Sequence, residues 1–338
     1  MNEITTIGLD LAKQVFHVVG CDARGKEVKR KRLRRGQVRA YFANLAACVV
    51  GMEACAGAHF WARELGALGH EVRLVPAQHV KAYLRGNKND YNDARAIAEA
   101  AQRPDMRFVR VKTVEQQDVQ ALHRLRAGRV KERTALCNQV RGLLAESGVV
   151  LAQGVGRLRR RLPEVLEDAE NGLSDDMRPL FGECYEQLCE LDAHIESYTR
   201  ALQAHAKRTA AVQRLQTVPG FGPVVASAFH AFVGDGRGFH RGRDVSAAVG
   251  LVPKQHGTGG KTVLLGISKR GDRYLRALLV HGARSVLQRA SGKEDRLSRW
   301  VMGVQAERGT HKAIVALANK MARIGWAVLR QDTTYRAA

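Results

Sequence analysis

Apolar and polar residues alternate from Ile4 onward, and the segment ITTIGLDLAK reads as a strand ending at the carboxylate of Asp10. VFHVVGCD supplies a second strand, closed by a turn at Asp22 to Gly25, and the basic run KEVKRKRLRR follows as a third. The period then changes to that of a helix over roughly Gln37 to Ala47. CVVGMEA is a short apolar run of the buried-strand type that ends at Glu53, and a helix around His59 to Leu68 precedes one more strand in EVRLVPA.

A three-stranded meander followed by helix and strand alternation matches the ribonuclease H-like α/β layer. After Pro104 the pattern becomes wholly helical. Val119, Leu122, Leu125, Leu136, Val140 and Leu143 recur at helical spacing amid charged residues, which predicts a long amphipathic helix. Phe181, Cys184, Leu188, Leu191, Ile195, Tyr198 and Leu202 follow in steps of three and four, a heptad seam. The middle of the chain is therefore expected to be an antiparallel helical pair or coiled coil, packed within the chain or against a second copy. From about Gln213 the sequence turns glycine-rich and then returns to helices near Tyr274 and Thr310. The expected division is an α/β domain over 1–108, a helical region over 109–208 and a mainly α domain over 209–338.

Composition narrows the class. The 338 residues carry 55 Lys and Arg against 33 Asp and Glu, a net charge of +22 that a phosphate polymer would neutralise. The excess is clustered at Arg24, Lys26, Lys29, Arg30, Lys31, Arg32, Arg34, Arg35 and Arg39, and again at Arg157, Arg159, Arg160 and Arg161. Six cysteines lack any zinc-like spacing and are expected as reduced thiols. No apolar stretch is long enough to span a membrane, and the N-terminus lacks the order of a signal peptide, so a cytoplasmic protein is expected.

Carboxylates at the ends of apolar strands repel one another unless a cation lies between them. Asp10 and Glu53 end two such strands. Asp90 and Asp93 lie three apart in NDYNDARAIAEA, on one face of a helix's first turn, where the helix dipole favours negative charge. Four oxygen ligands without a soft ligand suit Mg2+ or Mn2+ and point to phosphodiester chemistry. Each acid also has a plainer role available, as helix cap, ion-pair partner or turn residue. In the C-terminal part, TVPGFGP has the Pro-Gly-x-Gly form of a helix-hairpin-helix turn, making Gly220 and Gly222 candidates for close approach to a phosphate. GLVPKQHGTGGKTVLLGISKRGDRYLR then combines glycines with Thr258, Thr262 and Ser268 and with Lys254, Lys261, Lys269, Arg270 and Arg273, and is expected to be a flexible loop facing a nucleic-acid strand. GTGGKT is not a Walker loop, because its first glycine is one position too near the lysine.

GLDLAK, GMEACAG, NDYNDARAIAEA, TVPGFGP, GLVPKQH and GISKRGDRYLR, in this order, resemble the blocks of the DEDD transposases of the insertion-sequence one-ten family, most closely its eleven-eleven subgroup. The resemblance covers nearly the whole chain. It implies a RuvC-like N-terminal domain, a coiled-coil linker and a C-terminal transposase domain carrying a serine nucleophile. It also implies a noncoding guide RNA that pairs with target and donor DNA, and assembly as a dimer of dimers, in which the acids of one subunit act beside the serine of another. This chain departs from the pattern at the nucleophile: where the family has serine, Gly257 and Thr258 stand. Thr258 is the first candidate hydroxyl and Ser268 the second. Two competing readings use the same residues: a metal-dependent, junction-resolving nuclease with no covalent intermediate, and a non-catalytic nucleic-acid-binding protein.

Overall fold

The alternating segments pair as their pattern requires. The computed structural model describes residues 3–87 and 89–337, and the chain divides into two compact units, Met1–Thr113 and Val114–Ala338. The first contains β1 (Thr6–Asp10), β2 (Val15–Cys21), β3 (Glu27–Arg34), α1 (Val38–Ala43), β4 (Val49–Glu53), α2 (Ala58–Ala67), β5 (Glu71–Val75), α3 (Ala77–Val80) and α4 (Asp90–Ala101). Its five strands form one sheet in the order β3-β2-β1-β4-β5. The first three strands are an antiparallel meander, whereas β4 and β5 add to the other edge of β1 in parallel. Parallel pairing needs crossovers, which α1 and α2 provide.

Side chains alternate between the two faces of this sheet. Ile7, Leu9, Phe16, Val18, Leu33, Val50 and Met52 form one buried face, packed on Val38 and Phe42 of α1 and on Trp61 and Leu65 of α2. The other face is covered by α4, and there the packing is much closer. Gly8 and Gly51 are register neighbours on β1 and β4. A Cβ at Gly8 would lie 1.8 Å from the Ala94 carbonyl oxygen, and one at Gly51 would lie 2.6 Å from the Ala101 Cβ. Glycine in the strands and alanine in the helix thus let the α4 backbone rest directly on the sheet.

The second unit contains α5 (Val114–Glu146), α6 (Val155–Glu167), α7 (Met177–Arg208), α8 (Ala210–Gln216), α9 (Pro223–Val233), α10 (Gly242–Ala248), β6 (Pro253–Thr258), β7 (Lys261–Ile267), α11 (Arg273–Gln288), α12 (Arg296–Arg308) and α13 (Thr310–Gln331). The two long helices pack within the chain as an antiparallel pair. Arg126 donates to the Thr199 hydroxyl at 2.8 Å, and Arg133 pairs with Asp192 at 2.6 Å, one step down the pair in each helix. The heptad seam faces inward: Phe181, Leu188, Leu191, Ile195 and Leu202 are buried, with Cys184 and Tyr198 at its margins. α6 packs against this pair through Leu158, Leu162 and Val165, and the helices from α8 to α13 enclose a separate core built on Phe229, Leu279, Leu317 and Met321.

One segment differs from its sequence expectation. The glycine-rich stretch is a two-stranded antiparallel hairpin rather than a loop, with Thr258 opposite Lys261. Gly259 and Gly260 both have positive φ, 54° and 78°, the conformation of a tight hairpin turn whose twist matches its strands. Among the described residues, no helix is long and apolar enough to cross a membrane. All six cysteines are free.

Candidate metal centre and nucleic-acid surface

The backbone contact between α4 and the sheet brings the acids together. Asp10 stands two residues beyond Gly8, and Glu53 two residues beyond Gly51, so both carboxylates lie on the α4 face at the same end of adjacent parallel strands. On α4, Asp93 immediately precedes Ala94, whose carbonyl sits over Gly8. The first turn of the helix therefore reaches past the strand ends and carries Asp90 and Asp93 to Asp10. Asn89 caps that turn, its side chain accepting from the Tyr91 N–H at 2.9 Å, which leaves both aspartates outside the capping role.

The electrostatics record this convergence. Burial first, then the negative charges of Asp93, Asp90 and Glu53, push the Asp10 carboxyl up from 3.8 to about 6. Crowded carboxylates are the donor set a hard divalent cation satisfies. Glu53, Asp90 and Asp93 thus lie near enough to Asp10 for their charges to act on it. A fifth residue was not predicted. His17 of β2 is the cross-strand neighbour of Asp10 and is 9% exposed. Its Nδ1 lies 3.5 Å from Asp90 Oδ2, and Asp10, His17 and Asp90 each offer a ligand atom within 4.8 Å of the others. The His17 ring meets Tyr91 edge to face at 4.8 Å. The acids carry a sequence signal beyond strand ends, namely the repeated apolar-Gly-apolar-acid order of Ile7–Asp10 and Val50–Glu53. His17 becomes visible only through the register of the first hairpin.

The basic cluster divides by strand parity. Arg30, Arg32 and Arg34 pair in register with Val19, His17 and Val15, which places them on the face of the carboxylates. Arg30 is tied to Glu27 and lies over the Tyr91 ring; Arg32 and Arg34 have no ion pair among the described residues. Lys31 lies on the opposite face, 5.0 Å from the Tyr41 ring centroid, and Arg35 is 5.3 Å from that of Trp61. In the helical unit, Arg159 pairs with Asp192 at 2.9 Å while remaining half exposed. Arg160 donates to the Gly156 carbonyl.

The predicted helix-hairpin-helix turn joins α8 to α9. Gly220, at φ 83°, faces inward: a Cβ there would lie 2.9 Å from the Gly282 carbonyl oxygen of α11. Its requirement for glycine comes from that helix contact. Gly222 is exposed with open space beside it. A cavity of about 430 Å³ opens at this turn, lined also by Ser285 and by Arg289 and Lys293, two cations not singled out in the sequence. Thr258 is exposed at the hairpin tip, next to Lys261. Ser268 follows the base of β7, where its backbone N–H donates to the Val252 carbonyl and its hydroxyl accepts from the Arg270 N–H at 3.4 Å. The two candidate hydroxyls are separated by the length of the hairpin, about 20 Å at 3.4 Å per residue. Lys254 and Lys261 are exposed on the hairpin. Lys269, Arg270 and Arg273 lie at the entry to α11, with Lys269 at a positive φ of 55°.

Residues 7–148 match the model of a DEDD transposase family of IS110 type, and residues 212–298 match the transposase IS116/IS110/IS902 family. A probable family 20 transposase of Pseudomonas aeruginosa is 50% identical over 98% of this chain and 99% of its own length. The transposase for insertion sequence element IS1111A of Coxiella burnetii is 47% identical over 99% of this chain and 92% of its own. That for IS1328 of Yersinia enterocolitica is 41% identical, over 99% of both.

Proposed function

This chain belongs to the IS110 family of DEDD transposases, DNA-cleaving and recombining enzymes of insertion sequences, and from that premise we propose that it is an RNA-guided recombinase with a composite site. The observation that carries the catalytic part of this reading is the convergence of Asp10, Glu53, Asp90 and Asp93, with all three other acids acting on Asp10. The sheet order, with an antiparallel meander extended by two parallel strands, supports a RuvC-like, ribonuclease H-like assignment for residues 1–108. The antiparallel helical pair fits a linker over 109–208, and 209–338 a transposase domain.

In this reading the four carboxylates hold Mg2+ or Mn2+, which when bound supplies positive charge to the scissile phosphate and lowers the pKa of a coordinated oxygen. Arg32 and Arg34 hold the neighbouring sugar-phosphate backbone. The hydroxyl of Thr258, presented by the hairpin of a second subunit, loses its proton and forms an oxygen–phosphorus bond. The bond from phosphorus to the DNA oxygen opposite breaks, and that oxygen leaves as a hydroxyl, taking up the proton that Thr258 gives up. Because the resulting ester keeps the phosphodiester's bond energy, exchanged ends can be resealed by reversal. Base pairing with a noncoding RNA selects target and donor DNA, and a dimer of dimers brings carboxylates and hydroxyl together. The test is adduct trapping: labelled donor and target DNA with the copurifying RNA and Mg2+ gives a denaturation-resistant protein–DNA species, lost in Thr258→Ala. Retention of the adduct in Thr258→Ala and its loss in Ser268→Ala moves the nucleophile to Ser268. Cleavage with no adduct in any variant establishes the metal-dependent nuclease reading instead.

A further inference from the structure

The histidine beside the carboxylates has an unusual environment. His17 is 9% exposed, and its Nδ1 is buried with no hydrogen-bond partner among the described residues. Leaving a ring nitrogen orphaned in this way costs on the order of a lost hydrogen bond unless something else takes its lone pair. The atom it faces is Asp90 Oδ2, at 3.5 Å. That is too long for a good N–H···O bond, which peaks near 2.9–3.0 Å. It is, however, close to the separation of two ligands sharing one cation. With metal–ligand bonds of about 2.0–2.1 Å, octahedral neighbours lie roughly 3 Å apart and opposite ligands roughly 4 Å apart. The ligand atoms of Asp10, His17 and Asp90 all fall within 4.8 Å of one another. The ring is held in place by its strand register with Asp10 and by the edge-to-face contact with Tyr91, so the nitrogen is fixed before any ion arrives.

We propose that His17 Nδ1 is a direct nitrogen ligand of the carboxylate centre, and that it shifts the centre's preference from Mg2+ toward Mn2+. The proposal rests on the four-carboxylate reading above and adds a ligand of different chemistry to it. Imidazole nitrogen is a softer donor than carboxylate oxygen, and Mg2+ gains least from it, whereas Mn2+, the first ion of the divalent transition series, gains more than Mg2+ though less than the series' later members. A ring nitrogen at the Asp90 side also distinguishes the two ends of the site: one ligand set is all oxygen, and the other is mixed.

The experiment titrates Mn2+ into the full-length protein and reads the bound ion by electron paramagnetic resonance, with electron spin echo modulation to detect nitrogen bonded to manganese. The expected result is one Mn2+ that depends on Asp10, carrying a nitrogen coupling that changes when the histidines are labelled with 15N. In His17→Asn the coupling disappears and Mn2+ affinity falls about tenfold, while Mg2+ affinity, measured by competition, changes less than threefold. The wild-type spectrum stands whether or not the variant folds, and circular dichroism checks the variant. An Asp10-dependent Mn2+ without nitrogen coupling overturns the His17 assignment and leaves the carboxylate centre intact. Absence of Mn2+ binding, or binding unchanged in Asp10→Asn, overturns the centre itself and the assignment with it.

Discussion

Replacing Asp10 by asparagine should abolish DNA cleavage and yet stabilise the metal-free fold. The crowding of acids moves the Asp10 carboxyl from 3.8 up to about 6. A raised carboxyl pKa contributes stability that is fully present below the unfolded value and is lost as pH rises through the folded one, between about pH 4 and 6. At pH 7.5 the ionised group is then a net cost. The full shift corresponds to roughly 3 kcal/mol; because Asp10 is only partly buried, solvent screening reduces this to about 1–2 kcal/mol. Asparagine keeps the shape and the acceptor for the Leu11 N–H while removing the charge. In a thermal melt with chelator at pH 7.5, Asp10→Asn should raise the transition of the N-terminal unit by roughly 4–8 °C. The difference should shrink to near zero at pH 4, where the wild-type group is already protonated. Adding millimolar Mg2+ or Mn2+ should stabilise the wild type and leave the variant unmoved, reversing the order. A variant that melts lower than wild type in chelator at pH 7.5, or a gain independent of pH, refutes the crowding of carboxylates on which the metal centre depends.

Three other outcomes follow from features away from Asp10. Gly8→Ala should destabilise by about 1–3 kcal/mol or more, since its Cβ would meet backbone atoms of α4; Mn2+ binding should weaken with it, whereas Gly36→Ala, with nothing within 4 Å, should be neutral in the same urea titrations. His123 is buried between Ser227 and Tyr274, and burial holds its imidazole down at about 4 from an ordinary 6.5. Its contribution is present above pH 6.5 and lost as pH falls through about 4, so denaturant unfolding of the helical unit should lose about 2–3 kcal/mol between pH 7 and 4.5, a dependence that His123→Gln should flatten. Arg289→Ala with Lys293→Ala should reduce the slope of log DNA affinity against log salt by about 2 if both meet phosphates at the helix-hairpin-helix cavity; an unchanged slope removes that surface from the DNA path.

The strand ends were legible in the sequence because alternation marks where an apolar run stops, and at Asp10 and Glu53 it stops on an acid. Asp90 and Asp93 were legible from helical spacing alone. The heptad seam predicted the helical pair but not where it would pack; the ion pairs of Arg133 and Arg159 with Asp192 are facts of tertiary register. The hairpin at Gly259 and Gly260 was missed because charge and glycine content resemble a loop, while the two positive φ values that make it a turn leave no separate trace in composition. His17 was missed for a related reason. In VFHVV it looks like any polar residue in an alternating strand, and only the pairing of β1 with β2 gives it Asp10 as a neighbour.

The contact of α4 on Gly8 and Gly51 separates two properties that are usually tied together. Because the α4 backbone meets Gly8 directly, and at Gly51 only the Ala101 methyl group and Ile97 stand against the strand, the distance from the helix's first turn to the strand ends depends little on how side chains elsewhere are packed. The opposite face, built on Leu9, Phe16, Phe42 and Met52, can therefore be repacked for stability, or drift between relatives, without moving the acids. An engineer could treat that face as a free dial and the glycine pair as a fixed gauge.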